Sequence, residues 1–317
     1  MKVLITGGAG YIGSTVASAC EDAGHDVVIL DDFSTGRREF IGERPLYEGD
    51  IADDSLLDRL LREQRIDAVV HCAAKIIVPE SVSKPLAYYE NNVAKTVTLL
   101  AALQRNGVER FLFSSSASIY APDENFVVTE DSPLQPGSPY ARTKFMVELI
   151  LEDFTRASDV RVASLRYFNP IGTDPKLRSG QQLEKPSHVL AKLLEAWVNK
   201  ETFTVTGVDW PTRDGSGIRD FIHVWDLARA HVAALEHFDE ATATDPYQVF
   251  NIGTGNGVTV KELAASFEKI TGDPLKVRFG DPRPGDVAGV YTVSTKAKDV
   301  LGWEAELTET DAVRDAI

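Results

Sequence analysis

The stretch from Val3 to Asp31 leaves this chain few folds to choose from. An apolar run, Val3-Leu4-Ile5, is followed at once by Thr6-Gly7-Gly8-Ala9-Gly10-Tyr11-Ile12-Gly13, and the spacing predicts a strand, a tight turn and a helix. In such a unit Gly7 permits the turn, Gly10 lets backbone approach a pyrophosphate, and Gly13 lets helix and strand pack closely. The helix N-terminus faces the phosphates with free N–H groups and a partial positive charge. A second strand, Asp26 to Leu30, delivers Asp31 and Asp32 about 20 residues after the glycines, where a carboxylate hydrogen-bonds ribose hydroxyls and repels a 2′-phosphate. NAD is therefore expected rather than NADP. Three glycines alone would say little; their register with strand, helix and acid carries the reading.

The 317 residues suffice for one large domain or two unequal ones. A formal net charge of -15 argues against nucleic acid or an anionic membrane as partner, because either needs a basic face. A small anionic ligand needs only a few local arginines and backbone N–H groups. Cys20 and Cys72 lack metal or CxxC spacing and read as buried thiols. No signal or transit peptide and no apolar run of about 18 residues is seen, so the cytoplasm is the expected location.

Along the chain, the loop Phe33 to Arg38 could cover an adenosine, with Arg37 and Arg38 either at phosphate or in solvent. Strand Pro45 to Glu48 ends in Gly49-Asp50-Ile51, where Asp50 and Ile51 could flank adenine at the sheet edge. Helix Asp54 to Gln64 and strand Asp67 to His71 lead into Cys72-Ala73-Ala74-Lys75, small residues past which a dinucleotide could lie. A long helical stretch, Lys84 to Asn106, points Asn92 back toward that edge. Strand Glu109 to Phe113 runs into Ser114-Ser115-Ser116, Ser138 opens a helix to about Arg156, and Val160 to Arg166 is a sixth strand. The alternation predicts an α/β fold with a doubly wound parallel Rossmann sheet.

From Tyr167-Phe168-Asn169-Pro170 the pattern changes. A long loop to Pro186 precedes helix Ser187 to Lys200, strand Phe203 to Thr206, helix Val224 to His237, strand Val249 to Ile252, helix Thr259 to Thr271 and strand Leu275 to Phe279. Residues 1–168 are expected to form the nucleotide-binding domain, with segments around 219–252 packing back on it. Residues 169–317 are expected to form a smaller mixed α/β lobe, with ligand in the crevice between.

Tyr140 and Lys144 lie four apart on a predicted helix and so share a face. A free tyrosine titrates near 10, but an ammonium and an oxidised nicotinamide nearby both favour the phenolate. Tyr140 could then take a proton from a substrate hydroxyl while hydride leaves the same carbon. Ser116 could hydrogen-bond that hydroxyl or relay its proton. His223, His231 and His237 have no metal pattern and read as structural.

Gly7, Gly10, Gly13, Asp31, Ser116, Tyr140 and Lys144 together resemble the extended short-chain dehydrogenase/reductase family. Arg166-Tyr167-Phe168-Asn169-Pro170 and the run Asp214 to Val224 resemble its UDP-glucose 4-epimerases, and the likeness spans nearly the whole chain. The resemblance implies tightly held NAD and a cycle that oxidises C4 of a UDP-hexose to a 4-keto sugar, turns the sugar about its diphosphate linkage, and returns hydride to the other face. It implies a homodimer through the helices Lys84 to Asn106 and Tyr140 to Arg156. Related 4,6-dehydratases carry an Asp-Glu pair where this chain has Ala117-Ser118.

The resemblance also assigns residues. Gly7, Gly10, Tyr11, Ile12, Gly13, Asp31, Asp50, Ile51, Ala73, Ala74, Asn92, Ser114, Tyr140, Lys144 and Tyr167 would meet the cofactor. Asn169, Arg219 and Arg283 would hold the diphosphate, with Asp286 near the uridine ribose. Ser187-His188-Val189 stands where relatives have Asn-Asn-Leu, so His188 would serve by side chain or by backbone alone, beside Val189. Thr204 and Thr206 fall on a uracil-contacting strand. Lys75 precedes Ile76 and Ile77 where relatives have Gly-Leu-Lys, and Val290 replaces bulk that screens the sugar's C2 group. N-acetylhexosamine and glucuronate substrates stay open, as does a non-catalytic NAD-sensing protein. The chain ends at Ile317 in a helix-like segment, earlier than the family pattern, which implies a further short tail.

Overall fold

The computed structural model describes residues 1–317 other than 122, 183–187, 283–285 and 294. Its first unit follows from the opening pattern. Strand β1 (Lys2–Thr6), helix α1 (Tyr11–Asp22) and strand β2 (Asp26–Asp31) form a parallel βαβ unit with Lys2 opposite Asp26 and Thr6 opposite Leu30. A continuous apolar strand is what a parallel sheet covered on both faces requires. The theme repeats in β3 (Leu46–Glu48), α2 (Asp54–Gln64), β4 (Ala68–His71), the short α3 (Val78–Ser83) and α4 (Pro85–Tyr89), α5 (Lys95–Asn106), β5 (Arg110–Ser114), β6 (Val127–Val128), α6 (Pro139–Ala157) and β7 (Arg161–Tyr167). After β7 come β8 (Asn169–Ile171), α7 (Val189–Asn199), β9 (Thr202–Thr206), β10 (Ile218–His223), α8 (Val224–Glu236), α9 (Phe238–Ala241), β11 (Tyr247–Ile252) and β12 (Gly257–Thr259). The described chain closes with α10 (Val260–Thr271), β13 (Lys276–Gly280), β14 (Tyr291–Thr292), α11 (Thr295–Leu301) and α12 (Glu309–Asp315).

One parallel sheet takes seven strands in the order β11-β7-β5-β4-β1-β2-β3. Alternation along each strand sends neighbouring side chains to opposite faces. Val3 and Ile5 therefore pack with Val16, Cys20, Leu227 and Phe238 of α1, α8 and α9, while Leu4 packs with Leu57, Leu60, Leu99 and Leu151 of α2, α5 and α6. The later strands build smaller sheets: β12-β10-β8, parallel between β10 and β8, and the parallel pairs β13-β9 and β14-β6. Leu190, Leu193, Phe203, Val205, Phe221, Leu263 and Phe267 form the core around them.

The sheet's edge strand β11 comes from beyond residue 168 and pairs with β7 from Tyr247 opposite Val162 to Ile252 opposite Tyr167. Two differences from the sequence reading bear on the site. The helical stretch Lys84 to Asn106 is broken at a π-helical turn, Glu90–Ala94, centred on Asn92. Asn169 and Pro170, read as the opening of a loop, lie in β8, with Asn169 opposite Phe221. Strands of two or three residues such as β6, β8 and β14 carry no readable period.

Candidate active site

The turn after β1 is shaped by contacts that only glycine allows. Gly7 has φ +72°, and a Cβ there would stand 2.7 Å from the Ala73 backbone nitrogen. A Cβ on Gly13 would stand 2.2 Å from the Gly7 carbonyl oxygen. Gly13 thus seats the helix on its own turn, rather than on the strand as its place in the motif suggested. Above Gly10 a Cβ would meet only the Gly7 carbonyl, at 3.3 Å, and the tip of Gln182, at 3.8 Å. Gly10 is also the N-cap of α1, with no side-chain cap and no acid in the first turn. The backbone at Gly10, Tyr11 and Ile12 forms the kind of concavity that takes a pyrophosphate. The Tyr11 hydroxyl turns away and donates to the Gly172 carbonyl at 2.6 Å.

Asp31 ends β2 and is 7% exposed; its Oδ2 accepts from Ala9 N at 2.9 Å and its Oδ1 from Phe33 N at 2.8 Å. Burial raises its pKa and those two N–H groups oppose the rise. Each carboxylate oxygen keeps a second acceptor site, which suits ribose hydroxyls. Asp50 is paired with Lys95, and Ile51 is buried in the core. Asn92 holds the segment after β4: its Oδ1 accepts from Lys75 N at 2.8 Å and Asn91 Nδ2 at 3.0 Å, and its Nδ2 donates to Lys75 O at 2.9 Å and Thr143 Oγ1 at 3.1 Å. Those four bonds fill the amide's capacity. Asn92 therefore fixes the backbone at Lys75, next after Ala73 and Ala74, with its hydrogen-bonding positions taken, while the Lys75 side chain is exposed.

The start of α6 is pinned by Ser138, whose Oγ accepts from Ala141 N at 3.1 Å, and by Pro139 in the first turn. Tyr140 and Lys144 follow on the buried face, 7% and 3% exposed, beside Ser116, 8% exposed. Burial raises the Tyr140 phenol, with Ser116 opposing. Lys144 Nζ donates to the Ser114 carbonyl at 2.7 Å and sits 4.8 Å from the Phe113 ring centroid. Burial lowers Lys144 to about 8, against the Cys72 and Glu148 charges. The expected direct tuning of Tyr140 by Lys144 is not what this geometry shows, because the ammonium is drawn to the Ser114 carbonyl. A neutral phenol results, and a further positive charge at the sheet edge would shift it toward phenolate.

The Ser114 hydroxyl is enclosed by Cys72 Sγ and His231 Nε2, each at 3.2 Å, with Tyr167 nearby. His231 is neutral, lowered by burial to about 4. His223 caps α8, its Nδ1 accepting from Trp225 N at 3.0 Å. Among the described residues no group of three or more His, Cys, Asp or Glu could hold a metal ion.

The second half of the site is brought up by β10. Arg219 Nη1 donates to Ile218 O and Ala288 O, both at 2.7 Å, and its Nη2 to Val287 O at 3.1 Å, which ties the segment carrying Asp286 and Val290 to this strand. Gly289, at φ +119°, makes that approach: a Cβ would lie 1.7 Å from the Ile218 carbonyl. The sequence reading missed Gly289, although an isolated glycine between Asp286 and Val290 was the available signal. Val290 packs against Ala117, Tyr120, Val128 and Phe168. Asn169 is half-buried in β8, His188 is the N-cap of α7 with Val189 its first residue, and Thr204 and Thr206 are half-buried in β9. Arg283 and Ser187 lie outside the described residues. The site therefore joins a dinucleotide-shaped cradle and a buried Ser-Tyr-Lys strip to an arm carrying Arg219.

The NAD dependent epimerase/dehydratase family model matches residues 3–253. The chain is similar to UDP-glucose 4-epimerases of Azospirillum brasilense, 42% identical over 98% of this chain and 89% of that protein, and of Bacillus subtilis, 42% identical over 96% and 93%. It is similar in structure to the UDP-glucose-4-epimerase of Stenotrophomonas maltophila, solved with NAD and formylated UDP-arabinopyranose, at a TM-score of 0.94 and 36% identity over 100% of this chain and 96% of that one. The enzyme of Bifidobacterium longum, solved with NAD+ and UDP, matches at 0.93 and 35% identity over 100% and 97%.

Proposed function

The chain belongs to the NAD dependent epimerase/dehydratase family, and from that premise we infer that it interconverts UDP-glucose and UDP-galactose through a 4-keto sugar, with NAD as cofactor. The observation that carries the reading is the buried group of Ser116, Tyr140 and Lys144 at the end of β5, on the same sheet edge as the Gly10 cradle that follows β1.

The residues present fit the dinucleotide, since Gly10 leaves open the face a side chain would fill and Asp31 keeps acceptor sites at the end of β2. Gly7, Gly10, Tyr11, Ile12 and Gly13 would hold the pyrophosphate by backbone, Asp31 the ribose, and Asp50, Ile51, Ala73 and Ala74 the adenosine side. Ser114 and Tyr167 would line the nicotinamide end. NAD supplies a two-electron acceptor and donor for the C4–H bond. Tyr140 takes the proton of the sugar's 4-hydroxyl and later returns it, and Ser116 orients that hydroxyl by a hydrogen bond. Lys144, held on the Ser114 carbonyl, keeps a positive charge on the same helix face as the phenol. Asn169, His188 and Arg219 would hold the nucleotide diphosphate, with Asp286 near the uridine ribose, so the free sugar can turn without leaving. Arg219 would bring a positive charge to the diphosphate while its Nη1 and Nη2 stay tied to the carbonyls of Ile218, Ala288 and Val287. With Ala117-Ser118 after Ser116, no carboxylate stands ready for elimination of water.

The test is a single preparation with no added NAD. It should carry bound NAD, form UDP-galactose from UDP-glucose, and show transient absorbance of the reduced cofactor; no turnover and no reduction with any nucleotide sugar would sink the reading and favour a sensing role. A panel of UDP-glucose, UDP-galactose, UDP-N-acetylglucosamine and UDP-glucuronate, compared by kcat/KM, ranks the sugars. The small Val290 beside Ala117 and Phe168 supports tolerance at C2.

The pH dependence follows from Lys144. Its ammonium is present below about pH 8 and lost above it, so in the holoenzyme, where the oxidised cofactor's positive charge favours the Tyr140 phenolate, kcat should fall tenfold per pH unit well above that value. A level profile from pH 7 to 10 would exclude a required ammonium. We also propose a homodimer, supported by the exposed apolar side chains Leu86, Val97, Met146 and Leu149 on α4, α5 and α6. A monomer in sedimentation at micromolar concentration would exclude it. No helix among the described residues is long and apolar enough to cross a membrane.

A further inference from the structure

Helix α6 carries a third buried polar side chain at the same four-residue spacing as Tyr140 and Lys144. Glu148, 3% exposed, lies one turn below the lysine and meets Arg166 of β7, 5% exposed. Arg166 Nε donates to Glu148 Oε1 at 3.0 Å and Oε2 at 3.1 Å, and Nη2 donates to Oε2 at 2.6 Å. The Ser115 hydroxyl also donates to Glu148 Oε1. Ser115 stands between Ser114, whose carbonyl holds Lys144, and Ser116, which lies beside Tyr140. One carboxylate therefore reaches both supports of the catalytic strip.

Arg166 extends the contact away from α6. Its Nη1 donates to the Tyr120 hydroxyl at 3.0 Å, and that hydroxyl donates to Asn251 Oδ1 at 2.6 Å. Asn251 Nδ2 donates to Thr292 Oγ1 at 3.0 Å, and Thr292 N donates to Asp220 Oδ2 at 3.3 Å. Asp220 is the residue after Arg219. Tyr120, Asn251, Thr292 and Asp220 are all buried. Ion pairs of this kind are weak stabilisers, since apolar residues of similar volume often serve stability as well. A fully satisfied polar network does hold one geometry against its alternatives.

We propose that Glu148, clamped by Arg166, is a positioning residue: it fixes Ser114-Ser115-Ser116 against Tyr140 and Lys144 and ties that segment through Tyr120, Asn251 and Thr292 to Asp220 beside Arg219. The proposal rests on the epimerase reading above. Proton transfer and return at C4 both depend on atoms held within hydrogen-bond reach, and a displacement of about 1 Å costs on the order of a hundredfold in rate. The groups facing Lys144 are His71 and Cys72 at the end of β4, with Tyr140 and Glu148 of its own helix; Tyr167 of β7 stands beside Cys72 and Tyr140. His71 is lowered by burial to about 3 and Cys72 raised to about 11, so neither changes charge near pH 8. Glu148 is the neighbour whose negative charge supports the ammonium.

The test compares wild-type holoenzyme with Glu148→Gln and Arg166→Lys in UDP-glucose epimerisation. Glu148→Gln should lower kcat about ten- to a hundredfold, change KM less than threefold, retain bound NAD, and move the alkaline fall of kcat to lower pH. Arg166→Lys keeps the charge and loses the fork, so it should lower kcat with that fall unmoved. Ser115→Ala, which removes only the hydroxyl contact, gives the same readout should either charge variant fail to fold, with an expected kcat loss of about fivefold or more. Variants that change only melting temperature, with wild-type kcat and pH profile, would overturn the proposal. An inactive wild type would instead indict the epimerase reading itself.

Discussion

Tyr140→Phe should reduce kcat by about 10²- to 10⁴-fold, the range that positioned proton transfer supplies, while UDP binding and NAD content stay near wild type. The reason is local. The substitution removes one oxygen from a ring that is already buried, so the ring's packing and the Lys144 bond from α6 to the Ser114 carbonyl at the end of β5 should stay as they are. Ser116 keeps its own contact with Ser118, whose backbone N–H donates to Ser116 Oγ at 3.2 Å. Arg219 lies on a different strand and touches none of these groups in the contacts described. Turnover from UDP-glucose, bound NAD after gel filtration and a UDP titration check the three parts separately. A variant within threefold of wild-type kcat would remove Tyr140 from the mechanism.

The second large effect is expected from Gly13→Ala, which adds one carbon. That carbon would sit 2.2 Å from the Gly7 carbonyl oxygen, 2.9 Å from the Gly7 carbonyl carbon and 2.9 Å from Gly8 Cα, all backbone. No side chain can swing aside, so the turn itself must open. The Gly7 carbonyl also accepts from Gly10 N at 3.1 Å, and Gly10 is the N-cap of α1. Overpacking of this kind costs about 1–3 kcal/mol, and the displaced backbone is the surface proposed to hold the pyrophosphate. The purified variant should lose its bound NAD and melt at lower temperature, both recovered in part by excess NAD through mass action. Wild-type NAD content after gel filtration would contradict the role given to this turn.

The two results address features of different legibility. The glycine turn, Asp31 and the Tyr140/Lys144 spacing could be read from the chain because each rests on a local rule: backbone freedom at glycine, a strand ending in an acid, two side chains one helical turn apart. The resemblance to nucleotide-sugar epimerases drew on runs such as Asp214 to Val224 that are equally local. Asn92 shows where such reading stops. Its type and place suggested a cofactor ligand, yet its four hydrogen-bonding positions are taken by Lys75, Asn91 and Thr143, and Lys75 is 17 residues away. Glu148 had the same spacing from Lys144 as Lys144 from Tyr140. Nothing in the spacing says that Arg166 and Ser115 would meet it.

What the amino-acid order determined by itself was the βαβ opening, the alternation that demands a parallel sheet, and the residue types able to move a proton beside a dinucleotide. Only the tertiary structure decided that β11 pairs with β7 in the register Tyr247 opposite Val162, that Lys144 rests on the Ser114 carbonyl, and that Gly289 lets residues 286–290 close on Arg219. The reason is one of range. Hydrophobic period, capping and turn chemistry act over a few residues and leave their mark in the string, whereas pairing and burial join residues far apart in the chain, and the choice among such partners is made when the whole core packs.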